Sequence, residues 1–121
     1  MQIKVLEQAF SVCRVADISD IDFSDEFCFV GKTDEELSLV CASNRVPANA
    51  VSCVHGWRAL KIQGVLDFAL IGVLAKITGL LAEARISVFA VSTYNTDYFL
   101  VKAENLDKAI KALRDGGYTV L

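Results

Sequence analysis

The sequence predicts an α+β fold in which residues 57–121 form a ferredoxin-like β-α-β-β-α-β unit and residues 1–56 a degenerate copy with shortened helices. Two observations predict it. Apolar residues recur at spacings of three and four in two long stretches, both in the second half, while β-branched and aromatic runs bounded by turn residues occur throughout the chain. After residue 57 these stretches follow the order of the split β-α-β arrangement, in which two helices cover one face of a four-stranded sheet.

Taken in chain order, residues 3–6 and 10–15 read as extended, one strand broken by a kink at Gln8-Ala9. Residues 16–21 suit one helical turn. Residues 27–32 pair with 36–42 as a hairpin across Thr33-Asp34-Glu35, and 43–49 suit a second turn capped by Ser43. Residues 51–55 close the first unit as a strand. In the second unit, residues 57–63 alternate as a strand and Gly64 ends it where the backbone turns. Asp67 can cap a helix whose apolar face is Phe68, Ile71, Leu74, Ile77, Leu81 and Ala84, ending near Arg85. Residues 86–92 and 98–102 read as antiparallel strands joined by the polar turn Thr93-Tyr94-Asn95-Thr96-Asp97. Asn105 can cap a second helix with Leu106, Ala109, Ile110 and Leu113 facing inward, and Gly116-Gly117 stops it before a short strand at 118–121. Ile86, Val88 and Ala90 face one way while Phe89 and Val91 face the other, so both sheet faces are apolar. A partner sheet from a second copy, hence a homodimer, is the simplest cover for the face the helices leave open.

The totals agree. A chain of 121 residues with 54% apolar and 22% charged residues and a single proline is globular in composition. A mean hydropathy of +0.43 is high for this size and favours self-association. No apolar run approaches the roughly 20 residues of a membrane-spanning helix, and the first residues carry no export pattern, so a cytoplasmic protein without membrane contact is expected. The net charge of −3 gives no general attraction to nucleic acid. Lys108, Lys111 and Arg114 recur on one helix face, but Asp107 and Asp115 are interleaved with them. Cys13, Cys28, Cys41 and Cys53 form no Cys-x-x-Cys pair and sit within strands, which fits small buried apolar residues rather than a zinc or redox motif.

Two segments resemble the ACT-domain family: Gly64-Val65-Leu66-Asp67-Phe68-Ala69-Leu70-Ile71-Gly72, and the run from Ile86 through Ser92-Thr93-Tyr94-Asn95-Thr96-Asp97-Tyr98. Gly56-Trp57-Arg58-Ala59-Leu60-Lys61 and Asp34-Glu35-Glu36-Leu37-Ser38-Leu39-Val40-Cys41 narrow the resemblance to short bacterial proteins with two ACT units, related to the cytosolic arginine sensors of animals. The resemblance implies two tandem ACT units side by side, with amino-acid ligands held where units meet. It implies that the loop of Gly64, Val65, Leu66, Asp67 and Phe68, with Gly72 closing the motif, lies against a ligand's carboxylate and amino groups. It also implies that Tyr94, Asn95, Thr96 and Asp97 face the ligand side chain. Physical chemistry is consistent with this, since glycine admits close backbone approach, helix-start N–H groups favour a carboxylate, and Asp97 can accept hydrogen bonds from a cation. The animal sensors carry four ACT units in one chain, so arginine specificity is not implied here.

Each candidate also has a purely structural reading. Gly64 with Asp67 makes an ordinary turn and N-cap, and Asn95 and Asp97 are common turn formers. Cys53 and His55 share a strand face, but a thiol and a base without an orienting partner or an anion-stabilising site do not make a nucleophile, and two ligands are too few for a metal. The acidic run Asp17, Asp20, Asp22, Asp25 and Glu26 fails as a calcium loop, because Asp25 stands where the turn glycine belongs and Gly31 where the bidentate glutamate belongs. The expectation is a cofactor-free, metal-free, non-enzymatic amino-acid-binding regulator, a homodimer that acts through a protein effector. The alternative is a protein-interaction module that keeps the fold without a working ligand pocket.

Overall fold

Strands and helices follow in the order β1 (Gln2–Arg14), β2 (Cys28–Lys32), β3 (Leu37–Ala42), β4 (Ser52–Ile62), α1 (Val73–Glu83), β5 (Phe89–Ser92), β6 (Asp97–Lys102), α2 (Leu106–Asp115) and β7 (Thr119–Val120). They are seen in a computed structural model of the chain, which describes residues 1–64 and 72–121. Two compact units result. One comprises Gln8–Trp57, the other Met1–Glu7 together with Arg58–Leu121. The units therefore do not divide as the contiguous blocks 1–56 and 57–121. The opening residues of β1 go with the C-terminal unit because Gln2 and Ile3 pair in parallel with Thr119 and Val120.

In the unit Gln8–Trp57 the strands lie in the order β2, β3, β1, β4. This is the ferredoxin-like strand order without its two helices, each replaced by a 3₁₀ turn, at Ile18–Asp20 and Ser43–Arg45. The expected hairpin is present, with Cys28 opposite Cys41 and Lys32 opposite Leu37. The first turn is capped by Asp17, which accepts from the Ser19 N–H at 2.8 Å. The second has no side-chain cap; Ser43 bonds Ser11 instead. Neither turn buries a residue of its own. The core is small: Cys13, Val15, Ile21, Leu39 and Cys41, with Cys28, Leu37, Val46, Ala50 and Cys53 packed around them.

In the other unit the order is β7, β1, β4, β6, β5, so the first seven residues of the chain separate the first and last strands of the expected β-α-β-β-α-β run. The Gln63 N–H donates to Gln2 O at 2.9 Å and the Val51 N–H to Arg14 O at 2.8 Å. As one residue number rises the other falls, so β1 and β4 run antiparallel. Ile77 and Leu81 of α1 and Ala109 and Leu113 of α2 are fully buried against Ile3, Leu60, Ile62, Phe99 and Val101. The i, i+4 spacing on each helix sets both pairs on one face, and burying a large aliphatic chain contributes about 1.5–3 kcal/mol.

Several boundaries differ from expectation for physical reasons. β1 runs unbroken through Gln8-Ala9, and β4 runs through Gly56, whose φ of +84° only glycine adopts readily. The helix expected from Asp67 to Arg85 begins at Val73, since Gly72 has φ +79° and α-helix cannot pass through a left-handed residue. The expected cap Asp67 and its neighbours Phe68 and Ile71 lie outside the described residues. Asn105 precedes α2 without a side-chain capping bond, behind a 3₁₀ turn at Ala103–Asn105. The argument for a partner sheet also changes. Ala59 and Leu100, absent from the helix-side core, are nonetheless fully buried within the single chain, so these positions require no second copy.

Candidate functional site

The described residues that the ACT resemblance singled out fall in one unit, and a buried threonine ties the hairpin among them to the end of β4. The hairpin between β5 and β6 closes with the Thr93 N–H and Thr93 Oγ1 both donating to Thr96 O at 2.9 Å. Thr96 is 4% exposed at the tip of an otherwise open turn. Its Oγ1 donates to Ile62 O at 2.7 Å, at the end of β4, two residues before Gly64. A buried hydroxyl needs such a partner, and the bond fixes the hairpin against the backbone that leads into the glycine loop.

Around this tie, Gly64 is exposed with φ +93°, a conformation that a side chain would strain. Gly72, also left-handed and exposed, precedes the first turn of α1, where the Lys76 N–H bonds Gly72 O at 2.9 Å. Val65, Leu66, Asp67 and Phe68 lie outside the described residues. Tyr94 is 81% exposed and Asn95 is exposed, whereas Asp97 is half-buried opposite Ser92. Among the described residues no side-chain hydrogen bond or ion pair engages the Asp97 carboxylate. Next to it in sequence, Tyr98 carries Lys61 Nζ 5.9 Å from its ring centroid, and burial pushes its phenol up. Ile62 was missed in the sequence because its contribution is a backbone carbonyl, which no residue type signals.

Other candidates resolve differently. His55 Nδ1 lies 2.7 Å from Ser11 Oγ, which in turn lies 2.8 Å from Ser43 Oγ. Ser11 is fully buried, so no substrate reaches its hydroxyl. Burial, followed by the Cys53 thiol, pushes Cys13 up to about 12, and burial pushes Cys41 up to about 11, so neither is ionised to any extent at neutral pH. The acidic run is held by Arg45, which donates to Asp22 at 2.8 Å and lies 4.0 Å from Asp25. Hydrogen bonds from Ser24, then that guanidinium, hold the Asp22 carboxyl at about 2. Among the described residues no group of three or more ligating side chains could hold a metal ion. On α2, Lys111 pairs with Asp115 and Arg114 donates to Val120 O at 3.0 Å, so two of the three cations on the basic stripe have partners within the protein. A cleft of about 530 Å³ in the unit Gln8–Trp57 is lined by Arg14, Asp17, Ile18, Lys32, Asp34 and Glu36 among others. No helix among the described residues is long and apolar enough to cross a membrane.

Comparison with known proteins fits this architecture. The cytosolic arginine sensor for mTORC1 subunit 1 of Homo sapiens is 39% identical over 59 residues, which are 48% of this chain and 18% of that protein. The matched stretch is thus less than a fifth of the curated relative. A solved protein from Agrobacterium tumefaciens superimposes with a TM-score of 0.88 at 29% identity, covering 99% of this chain and 91% of that one. The regulatory subunit of aspartate kinase from Thermus thermophilus superimposes with a TM-score of 0.66, covering 93% of this chain and 95% of that one; at 9% identity it shares the fold alone. The ACT-domain family profile matches residues 42–115, more than half of the chain, and the protein belongs to the ACT-domain family.

Proposed function

We propose that this chain is an amino-acid-binding regulatory protein that works without a catalytic step, built from two tandem ACT units. The ligand is held by the loop of Gly64, Val65, Leu66, Asp67 and Phe68, by Gly72, and by Tyr94, Asn95, Thr96 and Asp97. The observation that carries this reading is the Thr96–Ile62 bond, which ties the hairpin to the strand end from which the glycine loop departs. The Asp97 carboxylate, uncommitted among the described residues, and the left-handed Gly64 and Gly72 support it further. Backbone N–H groups would take the ligand's carboxylate and Asp97 its ammonium or side-chain cation.

Occupancy would act by favouring one packing of the protein, because a ligand shifts only an equilibrium whose states it binds unequally. The readout passes to a protein effector. The reading includes a homodimer, supported by the high mean hydropathy and by exposed Val30, Val51 and Val54. It also includes a cytoplasmic location, supported by four free cysteines and by the name of the human relative. Light scattering at micromolar concentration should give twice the chain mass; a clean monomer would refute the dimer.

A thermal-shift screen of the twenty amino acids tests the ligand claim. At least one should raise the melting temperature, since a ligand that prefers the native state must stabilise it, by about 2.7 kcal/mol at a hundredfold excess over Kd. Asp97→Ala should melt as the parent does yet lose that response. An unchanged response in the folded variant would remove Asp97 from the site, and no response to any amino acid would favour an interaction module without a pocket.

A further inference from the structure

The four cysteines, scattered in sequence at 13, 28, 41 and 53, sit one on each strand of the unit Gln8–Trp57 and meet in its small core. Two of them stand in a relation that the others lack. The β2–β3 turn is closed by the Thr33 N–H bonding Glu36 O at 2.9 Å, which makes Thr33 and Glu36 a hydrogen-bonded pair. Hydrogen-bonded and non-hydrogen-bonded pairs alternate outward from there, and the register is unbroken from Lys32 opposite Leu37 to Cys28 opposite Cys41. Five steps out, Cys28 and Cys41 are therefore a non-hydrogen-bonded pair. Such pairs have Cα atoms about 4.5 Å apart and side chains projecting together on one face, within the separation a disulfide spans.

Cys13 is placed otherwise. It lies opposite Leu39, while Ser11 lies opposite Cys41, so Cys13 is a diagonal neighbour of Cys41 rather than its cross-strand partner, and its thiol hydrogen-bonds those of Cys53 and Cys41. Access also differs among the four. Cys13 and Cys41 are each 3% exposed while Cys28 and Cys53 are half-buried, so within the Cys28–Cys41 pair an oxidant in solution meets Cys28, on the edge strand of this unit, first.

We propose that Cys28 and Cys41 form a reversible cross-strand disulfide that locks the edge strand β2 onto β3. The oxidant is a low-molecular-weight disulfide such as oxidised glutathione. The Cys28 thiolate attacks one of its sulfurs, the S–S bond breaks, and one glutathione thiolate leaves. The Cys41 thiolate then attacks the Cys28 sulfur and expels the second glutathione. Two protein thiols lose two protons and two electrons, and the oxidant is reduced to two thiols. Burial followed by the Asp22 and Asp25 carboxylates pushes the Cys28 thiol up, so the exchange is slow at neutral pH. The bond closes a loop containing the Asp34-Glu35 turn and removes freedom from the edge strand β2.

The test uses the full native chain, incubated at pH 8.5 with oxidised glutathione, alkylated, and digested with trypsin. Cleavage after Arg14, Lys32, Arg45 and Arg58 leaves each cysteine in its own peptide. The expected product joins the peptides of Cys28 and Cys41, is about 2 Da lighter than the sum of the two thiol forms, and reverts with dithiothreitol. The oxidised chain should melt at least about 5 °C higher than the reduced one. Cys28→Ser and Cys41→Ser should abolish the joined peptide, whereas Cys13→Ser and Cys53→Ser should keep it. Four alkylatable thiols after prolonged oxidation, a stalled glutathione adduct on Cys28, or a Cys13–Cys53 linkage would each overturn the proposal.

Discussion

The two units solve the same problem with different material. In the unit Met1–Glu7 with Arg58–Leu121, α1 and α2 each lay two fully buried residues on the sheet, and the core gathers Phe99, Leu60, Ile62 and Ile3 beneath them. In the unit Gln8–Trp57 two three-residue 3₁₀ turns stand in place of the helices and bury none of their own residues. Cover comes instead from residues just beyond each turn: Ile21 after the first, Val46 and Ala50 after the second. The difference teaches that strand order and the layer that covers it are separable. A sheet face of four cysteines with Leu37 and Leu39 needs less volume above it than one built on Phe99, Leu60, Ile62 and Ile3, so short turns suffice.

Core truncation breaks this comparison most sharply. Leu81→Ala, in the helix-covered core, is expected to cost about 3–5 kcal/mol in chemical denaturation. Leu39→Ala, under the turns, should cost about 2–3 kcal/mol, because a site lined by small residues and loop can collapse around the lost volume. Equal losses, with equal hydrogen-exchange protection in both units, would show that the turns pack as rigidly as the helices.

A smaller effect sharpens the comparison at the hairpins. Each closes with a threonine N–H bonding a carbonyl three residues on, from Thr33 to Glu36 and from Thr93 to Thr96. Only the second carries a buried hydroxyl reaching a neighbouring strand end. Thr96→Val keeps the shape and strands the Ile62 carbonyl, so it should cost about 1–2 kcal/mol, while Glu36→Val, in the exposed counterpart, should cost less than about 0.5 kcal/mol.

The smallest effect concerns pH. The Asp22 carboxyl is held at about 2, below its ordinary 3.8, by Ser24 and then Arg45. The folded chain thus favours the ionised form, and the stabilisation is present above the ordinary carboxylate range and lost as pH falls through about 2. The pair is solvent-exposed, so the effect is small. The melting temperature of Asp22→Asn should trail the parent slightly at pH 6, and the gap should close as pH falls through about 2. A constant gap across that range would place the stabilisation elsewhere.

Much of this was readable from local pattern. The Thr33-Asp34-Glu35 turn between alternating strands announced its hairpin, and Ala109 and Leu113 announced the buried face of α2, since both signals lie within one or two turns of chain. What could not be read was non-local. Nothing in the sequence says that Gln2 and Ile3 pair in parallel with Thr119 and Val120, and nothing at Gly56 or Gly72 says which continues a strand and which precedes a helix, because glycine permits either. For the candidate site, Gly64, Asn95 and Asp97 were legible as turn residues, but the bond from Thr96 to a carbonyl 34 residues earlier in the chain was not.

The central claim is that the glycine loop and the hairpin form one amino-acid site. Amide chemical-shift mapping by NMR, titrating the isotopically labelled chain with the amino acid that raises its melting temperature, tests this most directly. Saturable shifts should cluster at residues 64–72 and 93–97 and be lost in Asp97→Ala. Shifts confined to other strands, leaving the amides of Gly64, Gly72 and Thr96 unmoved at saturation, would contradict the account.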